Sequence, residues 1–248
     1  MRLTVLGSAA SHAAAGQACA GHLIESGDTA VLFDCGNGVI ANLYQAIDPY
    51  ALRAVFLTHN HPDHYVDIYS MQAMLRYAPQ GALPPMPLYA PETLFDRMQA
   101  LLSDRGAREF REAFRFTPLV AGSPVRVGEL EVTPVEVDHT QPTYALVARS
   151  ATATLCYTSD TAPGAQALQA AHGATLLLAE ATLPQAYAGA APHMTASEAG
   201  ALARDAGAGR LVLTHVWPTN DRAAMLSEAA AAFPGSIDIA NELDVFEF

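Results

Sequence analysis

Four times along this chain a short strand-like run ends in side chains that can bind a metal ion. The run 54–57 leads into His59, His61, Asp63 and His64, the run 130–137 into His139, the run 154–158 into Asp160, and the run 211–214 into His215. A loop leaving a rigid strand is where a fold can aim functional groups, so a chain patterned in this way builds its site on strand ends. Imidazole and carboxylate are ligands that a borderline cation such as zinc accepts. Taken singly, a histidine after a strand reads as a core or capping residue. The set taken together reads as a metal site.

The remaining pattern supplies the frame. Strands are expected over 3–6, 22–25, 30–34 and 54–57, with turn chemistry at Gly7, at 26–28 and at 36–38. After the histidine cluster the pattern gives a helix over 68–77, a strand over 87–90 and a helix over 92–102. The second half repeats the logic, with strands over 125–127, 130–137, 144–148, 154–158, 175–179 and 211–214 and helices between them. Thr195 followed by Glu198 is a capping-box pattern that opens a helix over 196–206, which Gly207 stops, and 221–233 is the last helix. Strands that mix alternating and continuous apolar patterns, with helices in both halves, point to an α/β chain of mixed character. Two sheets would pack face to face with helices outside, as a four-layer αββα sandwich. With 248 residues, 51% of them hydrophobic, and no low-complexity linker, one domain over 1–248 is expected.

Charge narrows the choice of partner. The net charge is −12, and an acidic surface disfavours binding along a phosphate backbone. Arg97, Arg105, Arg108, Arg111 and Arg115 cluster, but Asp104, Glu109 and Glu112 are interleaved, which reads as a solvated helix face in preference to a phosphate-binding patch. Cys19, Cys35 and Cys156 form no C-x-x-C pair and are expected as small buried fillers. Neither a signal-like start nor an apolar run of about 18 residues is found, so a soluble, cytoplasmic protein without a membrane partner is expected.

In this order the motifs resemble those of the metallo-β-lactamase superfamily of dinuclear metallohydrolases, over nearly the whole chain. Asp34-Cys35-Gly36 resembles the first motif, 59–64 the second, His139 the third, Asp160 the fourth and His215 the fifth. The resemblance implies one divalent ion held by His59, His61 and His139, another by Asp63, His64 and His215, and Asp160 bridging them. Asp63 then belongs to the catalytic set as well. Two such ions can share a hydroxide that attacks the substrate. Zinc is the expected metal, and the donors also suit manganese or iron. Asp34 is read as holding a ligand imidazole in one tautomer, with a turn-capping role as the alternative.

Two further segments bear on the branch. The third motif, Val137-Asp138-His139-Thr140, departs from the Pro-Gly-His-Thr pattern of thioester, lactone and β-lactam hydrolases. Glu180-Ala181-Thr182, with His193 downstream before a helix, resembles the phosphodiesterase branch that contains tRNase Z. That resemblance implies His193 as a general acid oriented by Glu180. The bland alternative makes His193 a residue leading into a helix and Glu180 a surface carboxylate. No basic Gly-rich arm for gripping transfer RNA is seen, and the chain is closer to compact bacterial members, some of which are cyclic-nucleotide phosphodiesterases. A small phosphodiester is the expected substrate, with nucleic acid possible but not favoured and with Tyr65, Tyr69, Tyr144 and Trp217 as candidate walls. A tRNase Z-like endoribonuclease, a lactonase or thioesterase, and a metal-binding protein without turnover are the alternatives. A homodimer through the apolar segment 71–77 is also considered.

Overall fold

Apolar side chains on alternate positions of each central strand face two different cores, and that sets the layers. The computed structural model describes residues 1–79 and 81–248. One seven-stranded sheet runs in the order β14 (Val245–Glu247), β1 (Arg2–Gly7), β2 (Gly21–Ser26), β3 (Thr29–Phe33), β4 (Ala54–Phe56), β5 (Met86–Ala90) and β6 (Phe114–Pro118). The other runs β13 (Ser236–Ile239), β12 (Arg210–Thr214), β11 (Leu176–Glu180), β10 (Thr154–Tyr157), β9 (Thr143–Arg149), β8 (Leu130–Val137) and β7 (Val125–Val127).

Each sheet begins as an antiparallel meander and continues as parallel strands. In the first, β3 to β6 are parallel; in the second, β10 to β13 are. Parallel neighbours need crossover helices. These are α1 (Val39–Ala46), α2 (Ile68–Arg76), α3 (Glu92–Gln99) and α4 (Asp104–Ala113) on the first sheet. On the second they are α5 (Ala165–Ala171), α6 (Ala196–Asp205) and α7 (Arg222–Ala232). Val31 and Phe33 of β3 meet Leu176, Leu178 and Val212 between the sheets, while Leu32 faces α1 and α2 and Leu177, Leu211 and Leu213 face α5 to α7. The expected αββα sandwich is present. Cys19, Cys35 and Cys156 are buried free thiols, as expected of fillers.

The differences from the sequence reading have local causes. The helix expected over 92–102 stops at Gln99, and a second one starts after Ser103, whose Oγ accepts from the Gly106 amide at 3.2 Å. Helix α1 follows directly on Gly38, whose φ of 92° ends the preceding turn, so the turn signal masks the helix. The edge strands β6, β13 and β14 are only five, four and three residues long and partly exposed, so each offers too short a pattern to be read as a strand. The capping box of α6 forms as written in the sequence, with Thr195 and Glu198 exchanging hydrogen bonds.

Packing bears on two surface expectations. On α4, Arg105 is matched by Glu109 at 2.9 Å and Arg111 donates to Gln99, while Glu112 pairs with Arg76 of α2 at 2.5 Å, so acids and arginines are interleaved on this face. In the segment considered for a dimer face, Met71, Met74 and Leu75 of α2 are buried in the core of the first sheet, while Tyr77 is exposed and donates to Glu109 at 2.7 Å.

Leu178 is wholly enclosed between the sheets and Leu226 of α7 is exposed. Leu178→Ala should therefore lower stability by about 2–5 kcal/mol in urea denaturation, and Leu226→Ala by no more than about 0.5 kcal/mol. Equal small effects would mean that the inter-sheet layer is not the main core.

Candidate metal centre

The strands that deliver the candidate ligands stop abruptly because the next residues leave the extended region. Asp34 after β3, Ser159 after β10 and His215 after β12 have φ of 57°, 54° and 52°. Left-handed backbone is uncommon for residues with a Cβ and costs on the order of 1–3 kcal/mol each, so it persists where surrounding contacts enforce it. It turns each chain sharply and carries the side chains at 34, 160 and 215 over the end of the sandwich. Beside β3, the strand β4 is followed by a one-turn 3-10 helix at Pro62–His64, which presents Asp63 and His64.

Two groups of ligand atoms result. In the first, Nε2 of His59 and Nε2 of His139 lie 3.0 and 3.3 Å from Nδ1 of His61, and 3.6 and 3.9 Å from Oδ2 of Asp160. In the second, Nε2 of His215 lies 3.2 Å from Nε2 of His64 and 3.3 Å from Oδ2 of Asp63. Oδ1 of Asp160 reaches this second group, 3.3 Å from Nε2 of His64. All seven residues expected as ligands are brought together, with Asp160 between the groups.

The donors fit a divalent cation. A tetrahedral ion with bonds of about 2.0–2.1 Å separates its ligand atoms by about 3.3 Å, close to the spacings within each group. Oδ1 of Asp160 is buried with no hydrogen-bond partner, an expensive condition that a cation relieves. Burial works against the Asp160 anion, yet the imidazoles of His215, His64 and His59 hold its pKa well below the usual carboxylate range.

Hydrogen bonds on the far side of the rings fix which nitrogen is bare. Nδ1 of His139 lies 3.0 Å from the Pro192 carbonyl, which only accepts, so this nitrogen carries the proton and Nε2 is free. Nδ1 of His64 does the same towards Oδ2 of Asp34 at 2.8 Å. Asp34 is fully buried and also accepts from the Thr58 amide and hydroxyl and from the Tyr157 hydroxyl at 2.8–2.9 Å. The Thr182 hydroxyl sits 2.7 Å from Oε2 of Glu180 and 2.8 Å from Nδ1 of His215. Its single proton goes to the carboxylate, so it accepts from His215 and leaves Nε2 bare. The Ser11 amide donates to Oδ2 of Asp63 at 2.8 Å.

Glu180 is no surface carboxylate. It is fully buried, and Oε1 accepts from the Thr161 amide and from Nδ1 of His193, both at 2.8 Å. The His193 ring lies across His139 at 4.9 Å between centroids and parallel to His215 at 5.9 Å. Burial disfavours a charged His193, but the hydrogen bond and charge of Glu180 outweigh it and raise its pKa.

Thr58, Tyr157, Thr182 and Ser11 were not foreseen. Only Thr182 carried a signal, since it is two residues after Glu180 in an extended segment and so shares its face. Of the candidate walls, Tyr65 is core, Tyr69 donates to the Met98 carbonyl at 2.9 Å, and Tyr144 packs against the inter-sheet layer. Trp217 lines a surface cavity.

A double-sheet sandwich with helices outside and a His/Asp cluster at its strand ends defines the metallo-β-lactamase fold. The chain belongs to that superfamily: the family model for the beta-lactamase superfamily domain matches residues 29–216. A protein of Mycobacterium leprae, ML1173, is 32% identical over 96% of this chain and 85% of its own length. The crystal structure of the metallo-beta-lactamase fold protein YhfI from Bacillus subtilis superposes with a TM-score of 0.89 at 28% identity, covering 100% of this chain and 99% of that one. Ribonuclease Z of Methanothermobacter thermautotrophicus is 26% identical over 87% of this chain and 86% of its own.

Thr182→Val keeps the shape and removes the hydroxyl that holds His215. It should weaken metal binding about 10- to 100-fold, read by competition with a chromophoric chelator, and Thr182→Ser should restore it. Unchanged affinity in the valine variant would remove Thr182 from any part in orienting His215.

Proposed function

We propose that this chain is a single-domain phosphodiesterase that hydrolyses small nucleotide phosphodiesters with two divalent ions, zinc by preference. His59, His61 and His139 would hold one ion, and Asp63, His64 and His215 the other, with Asp160 shared. Ions so placed would acidify a water and offset the negative charge of the phosphate. The observation that carries the reading is the His193–Glu180 pair beside the cluster.

Cleaving a phosphodiester expels an alkoxide, which needs a proton as the bond breaks. His193 holds one proton on Nδ1 against Glu180, which leaves Nε2 as its remaining donor. Glu180 favours the charged ring, the form that can give this proton away. Its four hydrogen-bond donors keep the carboxylate from swinging, so the ring it holds is fixed over His215. Asp34, buried behind His64, serves in this reading to hold that imidazole. The net charge of −12 and the acids interleaved with the arginines of α4, Glu109 pairing with Arg105 among them, favour a small substrate over folded RNA.

Metal-loaded protein should hydrolyse bis-p-nitrophenyl phosphate and cyclic AMP, and a chelator should abolish both activities. His193→Ala should slow cyclic AMP turnover by about 10²–10⁴-fold. It should slow bis-p-nitrophenyl phosphate much less, because nitrophenolate leaves without a proton. Equal losses on the two substrates would falsify the general-acid role; a fully metallated protein inert to both would sink the phosphodiesterase reading.

A further inference from the structure

A cavity of about 320 Å³ opens on the surface between Tyr187 and Trp217, with Gln185, Asn220, Met225 and Glu228 also lining it. Its walls are the loops that leave β11 and β12 and the start of α7. Strands β10, β11 and β12 are parallel, so these loops emerge at the same end of the sheet as Asp160 and His215. Trp217 is two residues beyond His215, which holds their Cα atoms within about 7 Å. The Asn220 amide donates to the Thr182 carbonyl at 3.0 Å, tying the cavity to the residue whose hydroxyl contacts His215. A larger cavity of about 470 Å³, lined by Arg2, Glu25 and Glu247, lies where β1 begins and β2 ends, at the far end of the sheet.

The lining selects a chemical class. Tyr187 is 59% exposed, and Met225 is a buried apolar contact. Around them stand the Gln185 amide and the Glu228 carboxylate, and among the described residues no arginine lines the cavity. A phosphate would meet negative charge without a cation. A flat, uncharged heterocycle can stack on the aromatic rings and give its N–H groups to the carboxylate and amide. The volume is at the small end of ligand pockets, which run from about 300 to 1,000 Å³, and suits one ring system.

We propose that this cavity binds the nucleobase of the substrate. The proposal rests on the phosphodiesterase reading above for its link to turnover, and on the cavity alone for binding. It places the phosphate at the His/Asp cluster and the base between Tyr187 and Trp217, so the loops after β11 and β12 read what the phosphate is attached to.

Trp217 is the single tryptophan of the chain, so its fluorescence reports directly on the cavity. Adenosine 5′-monophosphate added to the metal-loaded protein should quench it saturably, and ribose 5-phosphate should not. Tyr187→Ala, a change at an exposed side chain, should raise the quenching midpoint on the order of tenfold. Trp217→Ala should raise KM for cyclic AMP by a similar factor while kcat holds. Equal quenching by the two phosphates, or none, overturns the proposal, as does an unshifted midpoint in a folded Tyr187→Ala protein. Base-dependent quenching in a protein that turns over no phosphodiester upholds the cavity and sinks the function proposed above; turnover without base-dependent quenching does the reverse.

Discussion

The carboxylate of Asp160, nearly closed off from solvent between two sets of imidazoles, is the charge around which the rest of this structure is arranged. Removing an anion from water costs several kcal/mol unless positive charge and hydrogen bonds replace the solvent. Here the replacement comes from both sheets. His59 and His64 arrive from the loop after β4, and His139 and His215 from the ends of β8 and β12. The two sheets must therefore keep a fixed offset, and the inter-sheet layer of Phe33, Phe56, Tyr157 and Leu178 holds it. Tyr157 serves both purposes, packing between the sheets while its hydroxyl donates to Asp34.

Backbone strain follows from the same requirement. A strand that continued past Phe33, Thr158 or Thr214 would alternate its next side chains between a core and a crossover helix. The left-handed residues at 34, 159 and 215 interrupt the alternation and turn the chain across the end of the sandwich. At Asp34 and His215 the strained residue is itself part of the polar network, and its hydrogen bonds offset the local cost. Strain concentrated at a cluster of buried donors is the pattern of a functional site.

Much of this was legible in the sequence, for physical reasons that differ by residue. The sheets could be read because β3, β11 and β12 are apolar on both faces, and the ligand set because imidazoles and carboxylates recur after such runs. Asp34 and Glu180 could be singled out as carboxylates at strand ends, but their burial could not, since it depends on donors from Thr58, Tyr157 and Thr161, remote in sequence or ordinary in kind. Thr182 could be read as sharing a face with Glu180, but its contact with His215 could not, because it exists only where β11 and β12 pair with Glu180 opposite Thr214. The segment 71–77 could not be assigned to core or to a dimer face from sequence, because an apolar stripe on one helix has the same signature whether it meets its own sheet or another subunit.

That register has a consequence for how the site can vary. Glu180 gives one oxygen to His193 and the other, through the Thr182 hydroxyl, to His215. A carboxylate at this position thus sets the tautomer of His215, a metal-capable ring, and the orientation of His193 at once. Changing it alters both, so neither role can drift independently of the other. The loops after β11 and β12 extend the same network, since the Pro192 carbonyl accepts from His139, His193 pairs with Glu180 and Asn220 donates to the Thr182 carbonyl. The side chains of Tyr187 and Trp217, which line the neighbouring cavity, stand outside these contacts and can change without removing any of them.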